Sequence, residues 1–144
     1  MAHWLLIERL ENRIVDENEG FRQFGIPARR EGMASQIRTG DYLIFYVSSG
    51  VSAFSDVRIA TANGVQRLPH GGDYDTAYPV ALSTRPEIIL PQENWVPIGP
   101  LLTRLEFAAG KDWRQLMRAS IRSLSEADGK LLVEEVSRRS VGKS

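Results

Sequence analysis

The residues of this sequence best suited to catalysis or metal binding are its two histidines, His3 and His70. His70 is followed by Asp73 and Asp75 in a glycine-rich segment, and imidazole and carboxylate groups at this spacing can hold a divalent metal ion. The alternative is a solvated turn in which the aspartates accept hydrogen bonds from nearby amides, and the glycine content favours it. His3 begins an apolar run, which favours a structural role. A small metal-dependent hydrolase built on His70, Asp73 and Asp75 stays open as one function.

Other catalytic devices are missing from the sequence. It has no cysteine, so thiol nucleophiles and thiolate metal sites are excluded. It contains no G-x-S-x-G, H-E-x-x-H, G-x-G-x-x-G or G-x-x-x-x-G-K-[ST] motif. We therefore expect a protein that is not an enzyme and needs no cofactor.

Aromatic residues are better placed to bind a ligand than the histidines are. Six of them lie on or beside the ends of predicted strands and in loops: Trp4, Phe21, Phe24, Tyr46, Phe54 and Tyr74. Rings of this kind can stack on an unpaired nucleic-acid base, at about 1–3 kcal/mol each. Because most aromatic side chains are core residues, we expect about half of these to be buried.

The charge balance gives two opposing indications about nucleic acid. Net charge is zero, which argues against a polyanion binder that relies on bulk electrostatics. The cations are nevertheless 15 arginines and 3 lysines, and the planar guanidinium suits phosphates and base edges. The arginines are spread along the chain, which favours the codon bias of a genome rich in G and C over a binding surface as their explanation.

The elements that must position these residues are mostly short strands. Residues 43–47 form a continuous apolar run and residues 53–60 return after a small-residue loop, which predicts a hairpin. Residues 11–19 predict a short helix or irregular turn, 20–27 a loop, 63–64 a tight turn and 113–117 a turn of helix. Further strands are predicted over 3–7, 78–83, 87–90 and 119–124. A helix capped by Ser125 follows, with Leu132 and Val136 on its apolar face.

Length and composition fit a single domain. The chain has 144 residues, 42% of them hydrophobic, and no apolar run approaches the length that spans a bilayer. We assign residues 1–140 to one domain and 141–144 to a loose tail. We expect a cytoplasmic protein that does not enter a membrane.

Four segments of the sequence resemble the EVE domain and its relative the YTH domain, members of the PUA-like superfamily. Residues 40–60, with the motif GDYLIFYVSSG, resemble the central strands of the family, and His3-Trp4-Leu5-Leu6 its first strand. Residues 20–23 resemble the stretch that precedes the Gly-Asp turn. Residues 96–113 resemble the C-terminal part of the archaeal and bacterial EVE proteins. The likeness covers roughly residues 3–138.

This resemblance implies an α+β fold, a PUA-like mixed β-barrel of five or six strands with flanking short helices and a C-terminal helix. It also implies a pocket for a modified or unpaired base, read by stacking and by amides and hydroxyls at the base edge. Carried over by position, the base-binding residues are Trp4, Phe21, Arg22, Gln23, Tyr46, Ser48, Phe54 and Tyr74. The chain departs from the family at residues 17–19, where Glu-Asn-Glu replaces a frequent Trp.

The leading prediction is thus a non-catalytic module that binds DNA or RNA through one modified or unpaired base. The metal-dependent hydrolase at His70 is one alternative. A sensor of a small-molecule ligand, or a domain that docks a partner through the same pocket, is another.

Overall fold

A computed structural model of the chain describes residues 1–48, 50–67, 77–118 and 120–141. Its centre is one mixed sheet in the order β2-β5-β4-β3-β1-β7, with β6 paired to β4, curled into a half-barrel. The strands are β1 (His3–Glu8), β2 (Gln23–Ile26), β3 (Tyr42–Val47), β4 (Ala53–Gln66), β5 (Val80–Ile89), β6 (Val96–Pro97) and β7 (Ile121–Leu124). β1 and β3 run parallel, with Leu5 opposite Ile44, and the other pairs are antiparallel.

The sheet is central because both of its faces are apolar. Successive side chains of a strand point to opposite faces, so the unbroken apolar run 43–47 supplies both sides. Leu43 and Phe45 belong to one buried cluster, with Trp4, Phe24 and Ile37, whereas Ile44 and Tyr46 belong to another. The predicted hairpin of β3 and β4 is thereby the core of the molecule.

Within the residues that the structure describes, four α-helices flank the sheet: α1 (Leu10–Asn18), α2 (Glu31–Ala34), α3 (Trp113–Leu116) and α4 (Glu126–Val141). Leu132 and Val136 of α4 are fully buried against the face that holds Ile44. Ser125 caps α4 as predicted, since its Oγ accepts a hydrogen bond from the amide of Asp128 at 3.1 Å. The Asp128 carboxylate accepts instead from the amides of Glu106 and Phe107, which ties the preceding loop to the helix.

The α+β class, the curled mixed sheet, the short helices and the C-terminal helix are confirmed, and the bounds of individual strands differ from those predicted. Residues 23–26, predicted as loop, form β2 by pairing with β5. The predicted turn at Asn63-Gly64 is wrong, because β4 continues to Gln66 with Gly64 at φ +67°. The strands predicted at 78–83 and 87–90 are one strand that passes through Pro86.

Candidate functional site

A cleft of about 910 Å³ lies where β1 and β3 end. One side is formed by the start of α1, by β2 and by the residues before β5. The other side is formed by the β3–β4 loop and by α3 with the residues that follow it. The residues that line the cleft are Ile7, Glu8, Arg9, Glu11, Asn12, Phe24, Gly25, Pro27, Arg29, Tyr46, Ser48, Gly50, Ser52, Ala77, Tyr78, Trp113, Arg114, Met117, Arg118 and Ser120.

On the first side, a hydrogen bond links α1 to the residues before β5. Asn12 Nδ2 donates to Tyr78 Oη at 2.9 Å, and both side chains are half-buried. An amide has two donors and an oxygen acceptor, so Asn12 keeps further hydrogen-bonding capacity beyond this bond. This side of the cleft can therefore bind the polar edge of a ligand.

On the second side, α3 places an aromatic ring in the cleft. Asp112 caps this short helix by accepting a hydrogen bond from the amide of Arg114 at 3.1 Å. Trp113 is half-buried, packed against the core on one side. The guanidinium of Arg114 lies 4.7 Å from the centroid of the Trp113 ring. An aromatic ring that is partly open to a cleft offers a stacking surface to a planar ligand.

Small polar residues of the β3–β4 loop complete the cleft. Ser48 Oγ donates to the carbonyl of Glu8 at 3.2 Å, and Ser52 has a left-handed backbone at φ +53°. Tyr46 is buried and its ring meets that of Phe54 edge to face at 5.2 Å. Burial raises the pKa of Tyr46, and a hydrogen bond with Ser52 opposes this only in part, so the phenol remains protonated at neutral pH.

Four exposed arginines surround the cleft: Arg9, Arg29, Arg114 and Arg118. Glu11 is the exposed carboxylate among the lining residues, 3.9 Å from Arg9. Among the described residues, Arg29, Arg114 and Arg118 form no ion pair. The cleft is therefore locally positive although the net charge of the chain is zero.

Beside the cleft, between α1 and the sheet, lies a buried network of five charged residues. Arg58 contacts Asp56 at 2.7 Å, Asp16 at 3.0 Å and Glu8 at 3.3 Å, and Arg13 contacts Asp56 at 2.9 Å. The Arg58 guanidinium also lies 3.6 Å from the centroid of the Phe45 ring. Such a network costs desolvation energy and is stable only when its members are paired.

The carboxyl of Glu8 is the one whose ionisation this network disfavours most. Glu8 Oε1 is buried and, within the described residues, accepts no hydrogen bond. Burial, followed by the neighbouring carboxylate of Asp16, raises the pKa of Glu8 well above its usual range. Burial also raises the pKa of Asp16, although Arg58 opposes it. For Arg58 burial opposes the charge, but the three carboxylates outweigh it and raise its pKa.

The residues predicted from the sequence occupy several environments. Tyr46 and Ser48 line the cleft, whereas Trp4 and Phe54 are buried in the two core clusters. Trp4 Nε1 donates to Asp41 at 3.0 Å. Phe21 is half-buried, with its ring 4.6 Å from the Arg13 guanidinium.

The remaining predicted residues lie at the start of β2 or outside the part of the chain that the structure describes. Arg22 is exposed, and its carbonyl accepts from the amide of Thr84 at 2.9 Å. The side-chain amide of Gln23 donates a hydrogen bond to the carboxylate of Glu19. Tyr74 lies outside the described residues, as do His70, Asp73 and Asp75 of the predicted metal site.

Sequence reasoning missed most of the lining residues. Trp113 lies in a short segment predicted only as a turn of helix, Asn12 lies in a polar stretch, and Arg9 and Arg118 come from distant segments. The only local signal is a Trp-Arg pair after Asp112, and it does not show which surface the pair faces. Parallel pairing of β1 with β3 and the placement of α3 bring these residues together.

The other histidine has a structural role. His3 is buried and stacks on Tyr42, with ring centroids 5.1 Å apart and planes at 12°. Burial lowers its pKa, which favours the neutral ring. Among the residues described, no three His, Asp or Glu side chains are grouped to hold a metal ion, and no helix is long and apolar enough to cross a membrane.

Known proteins resemble this chain in sequence weakly and in fold clearly. No protein-family model matches it. A UPF0310 protein of Pyrococcus abyssi is 27% identical over 146 residues, covering 92% of this chain and 97% of the relative.

Two solved structures illustrate the likeness of fold. The YTH domain of the Zygosaccharomyces rouxii MRB1 protein, solved in complex with N6-methyladenosine RNA, superposes with a TM-score of 0.67 at 13% identity, covering 94% of this chain and 86% of that one. A hypothetical protein from Leishmania major gives 0.66 at 11% identity, with 96% of both chains covered. At these identities the likeness establishes a fold, and that fold is the one found in YTH domains.

Proposed function

We propose that this chain is a non-catalytic nucleic-acid-binding domain of the EVE type within the PUA-like superfamily, and that its cleft holds one unpaired or modified base. The observation that carries the proposal is the half-buried Trp113 inside a cleft ringed by four exposed arginines. The fold supports it, because a YTH domain of the same fold was solved with methylated RNA.

In this proposal Trp113 stacks on the base, which contributes about 1–3 kcal/mol. Asn12 and Ser48 form hydrogen bonds to the base edge, together with the hydroxyl of Tyr46. The arginines contact phosphates on either side of the base, where a planar guanidinium binds two oxygens at once. Phe21, Arg22, Gln23 and Tyr74 remain proposed contacts for nucleotides next to the base.

Fluorescence anisotropy with short labelled oligonucleotides tests the proposal. Single-stranded RNA and DNA with and without a modified base, and the matching duplexes, are titrated at several salt concentrations. We expect single strands to bind more tightly than duplexes, and Trp113→Ala to weaken binding by about 5- to 100-fold, the loss of one stacked base.

The arginines are tested by charge reversal. Arg118→Glu should weaken binding and reduce the slope of log affinity against log salt by at least about 0.7, the loss of one phosphate contact on a single strand. Arg139→Glu, an exposed arginine of α4 outside the cleft, is the matched control and should leave the slope close to that of the wild type. The proposal fails if no oligonucleotide binds better than its unmodified or duplex control and Trp113→Ala changes nothing.

A further inference from the structure

The helix that forms one side of the cleft is held by charge rather than by apolar contact. The buried residues of α1 are Arg13 and Asp16. Its aliphatic side chains contribute less, because Leu10 and Val15 are only half-buried and Ile14 is 50% exposed. Most surface helices dock through an apolar stripe, so this helix is unusual.

Two ion pairs fix α1 on β4. Arg13 Nε donates to Asp56 Oδ1 at 2.9 Å, and Arg58 Nη1 donates to Asp16 Oδ2 at 3.0 Å. Asp56 connects the two ion pairs, because its second carboxylate oxygen accepts a hydrogen bond from Arg58 Nε at 2.8 Å. Charge-assisted hydrogen bonds of this kind are directional, so they set the position of the helix as well as its attachment.

The side chains of α1 that line the cleft lie close in sequence to the ion-paired residue Arg13. Asn12 precedes Arg13 directly, and Arg9 and Glu11 also line the cleft. The bond from Asn12 to Tyr78 spans one side of the cleft and depends on where α1 sits. A shift of α1 therefore moves Asn12 but leaves Trp113 and Arg118, on the opposite side, where they are.

We infer that Asp56 is a positioning residue for ligand selection: through Arg13 it fixes α1 and so the distance of Asn12 from the base edge. The inference rests on the proposed function, in that the selected ligand is a base. On this inference, the side of the cleft formed by α1 selects among bases. The side formed by α3 provides the affinity for single-stranded nucleic acid that does not depend on the base.

Asp56→Asn tests the inference, because it removes the charge and preserves the shape of the side chain. Hydrogen exchange should show the amides of α1 exchanging about tenfold or more faster, relative to those of β3 in the same protein. In anisotropy titrations, the ratio of dissociation constants for oligonucleotides that differ in their central base should fall toward 1. The slope of log affinity against log salt should stay that of the wild type.

The matched control is Asp41→Asn at the opposite end of β3. Asp41 is also buried, and its carboxylate accepts from Trp4 Nε1 at 3.0 Å and from the amide of Arg38 at 2.9 Å. Its loss should reduce global stability without selective exchange in α1. If Asp56→Asn does not fold, Arg13→Gln breaks the same pair from the side of the helix and carries the same expectations.

Two results would overturn the inference. One is that the amides of α1, measured relative to those of β3, exchange no faster in Asp56→Asn or Arg13→Gln than in Asp41→Asn. The other is that Asp56→Asn or Arg13→Gln keeps the base preference of the wild type. The exchange measurement needs no ligand, so it decides the attachment of α1 on its own. A failure of the proposed function would show separately, as a wild-type protein that binds no oligonucleotide.

Discussion

Replacing Glu8 by Gln should change how the stability of this protein depends on pH. The carboxyl of Glu8 is buried beside Asp16, Asp56 and Arg58, and one of its oxygens accepts no hydrogen bond from any described residue. Glutamine has the same shape, is neutral at every pH and can donate to Asp16 as a protonated glutamate does. The variant therefore mimics the protonated form and removes the titration.

The sign follows from the raised pKa of Glu8. In the unfolded chain the pKa of this group is its ordinary one, near 4.5, whereas in the folded protein the pKa is higher and the group holds its proton to a higher pH. Unfolding thus releases a proton in the interval between the two pKa values, and stability falls as pH rises through it. One proton corresponds to about 1.4 kcal/mol per pH unit. Glu8→Gln should lack this loss, so between the two pKa values its stability relative to the wild type rises by up to about that amount per pH unit.

Urea unfolding of both proteins between pH 4.5 and 8, followed by tryptophan fluorescence, measures the difference in the free energy of unfolding. Titrating groups that do not contact Glu8 cancel in this difference, whereas Asp16, whose pKa depends on Glu8, contributes to it. Glu126→Gln is the control, because Lys130 lowers the pKa of that exposed carboxyl and the expected trend is small and of opposite sign. The difference in the free energy of unfolding between Glu8→Gln and the wild type could also stay constant as pH rises, or shift in favour of the wild type. Either result would refute a raised pKa of Glu8.

Three further substitutions test the packing. Arg58→Met should lower the free energy of unfolding by about 3–5 kcal/mol, because it leaves buried carboxylates without their cation; a loss under 1 kcal/mol would contradict the network. Gly129→Ala should cost about 1–3 kcal/mol, since the added Cβ would overlap the ring of His3. Gly32→Ala on the exposed helix α2 meets no described atom within 4 Å and should be neutral or stabilising. Trp4→Phe should cost about 1–3 kcal/mol because Asp41 loses the indole donor, and thermal unfolding that leaves Tm unchanged would argue against that bond.

The central part of the fold could be predicted because its signals are local. The apolar run 43–47 and the Ser125 cap each determine a strand or helix from adjacent residues. β2 could not be found in this way, since Gln23–Ile26 is a strand only because β5 lies beside it. Gly64 looked like a turn residue, yet its backbone at φ +67° marks a register shift within β4.

The candidate site was predicted only in the part that belongs to the central hairpin. Tyr46 and Ser48 follow from the end of β3, and both line the cleft. Trp113 and Arg118 come from a segment whose position depends on long-range packing. The ionic attachment of α1 was also missed, because Asp56 and Arg58 in a strand pattern indicate an exposed face, and only the charges of Arg13 and Asp16 make their burial possible.

The most direct measurement of the central claim is an NMR titration of the three tryptophan indole N–H signals with a short single-stranded oligonucleotide. The indoles of Trp4 and Trp95 are buried and bonded to Asp41 and to the carbonyl of Leu90, whereas Trp113 is open to the cleft. We predict a large shift of the Trp113 signal that saturates with ligand, and little change at Trp4. Binding that leaves Trp113 unmoved would contradict a base held in this cleft.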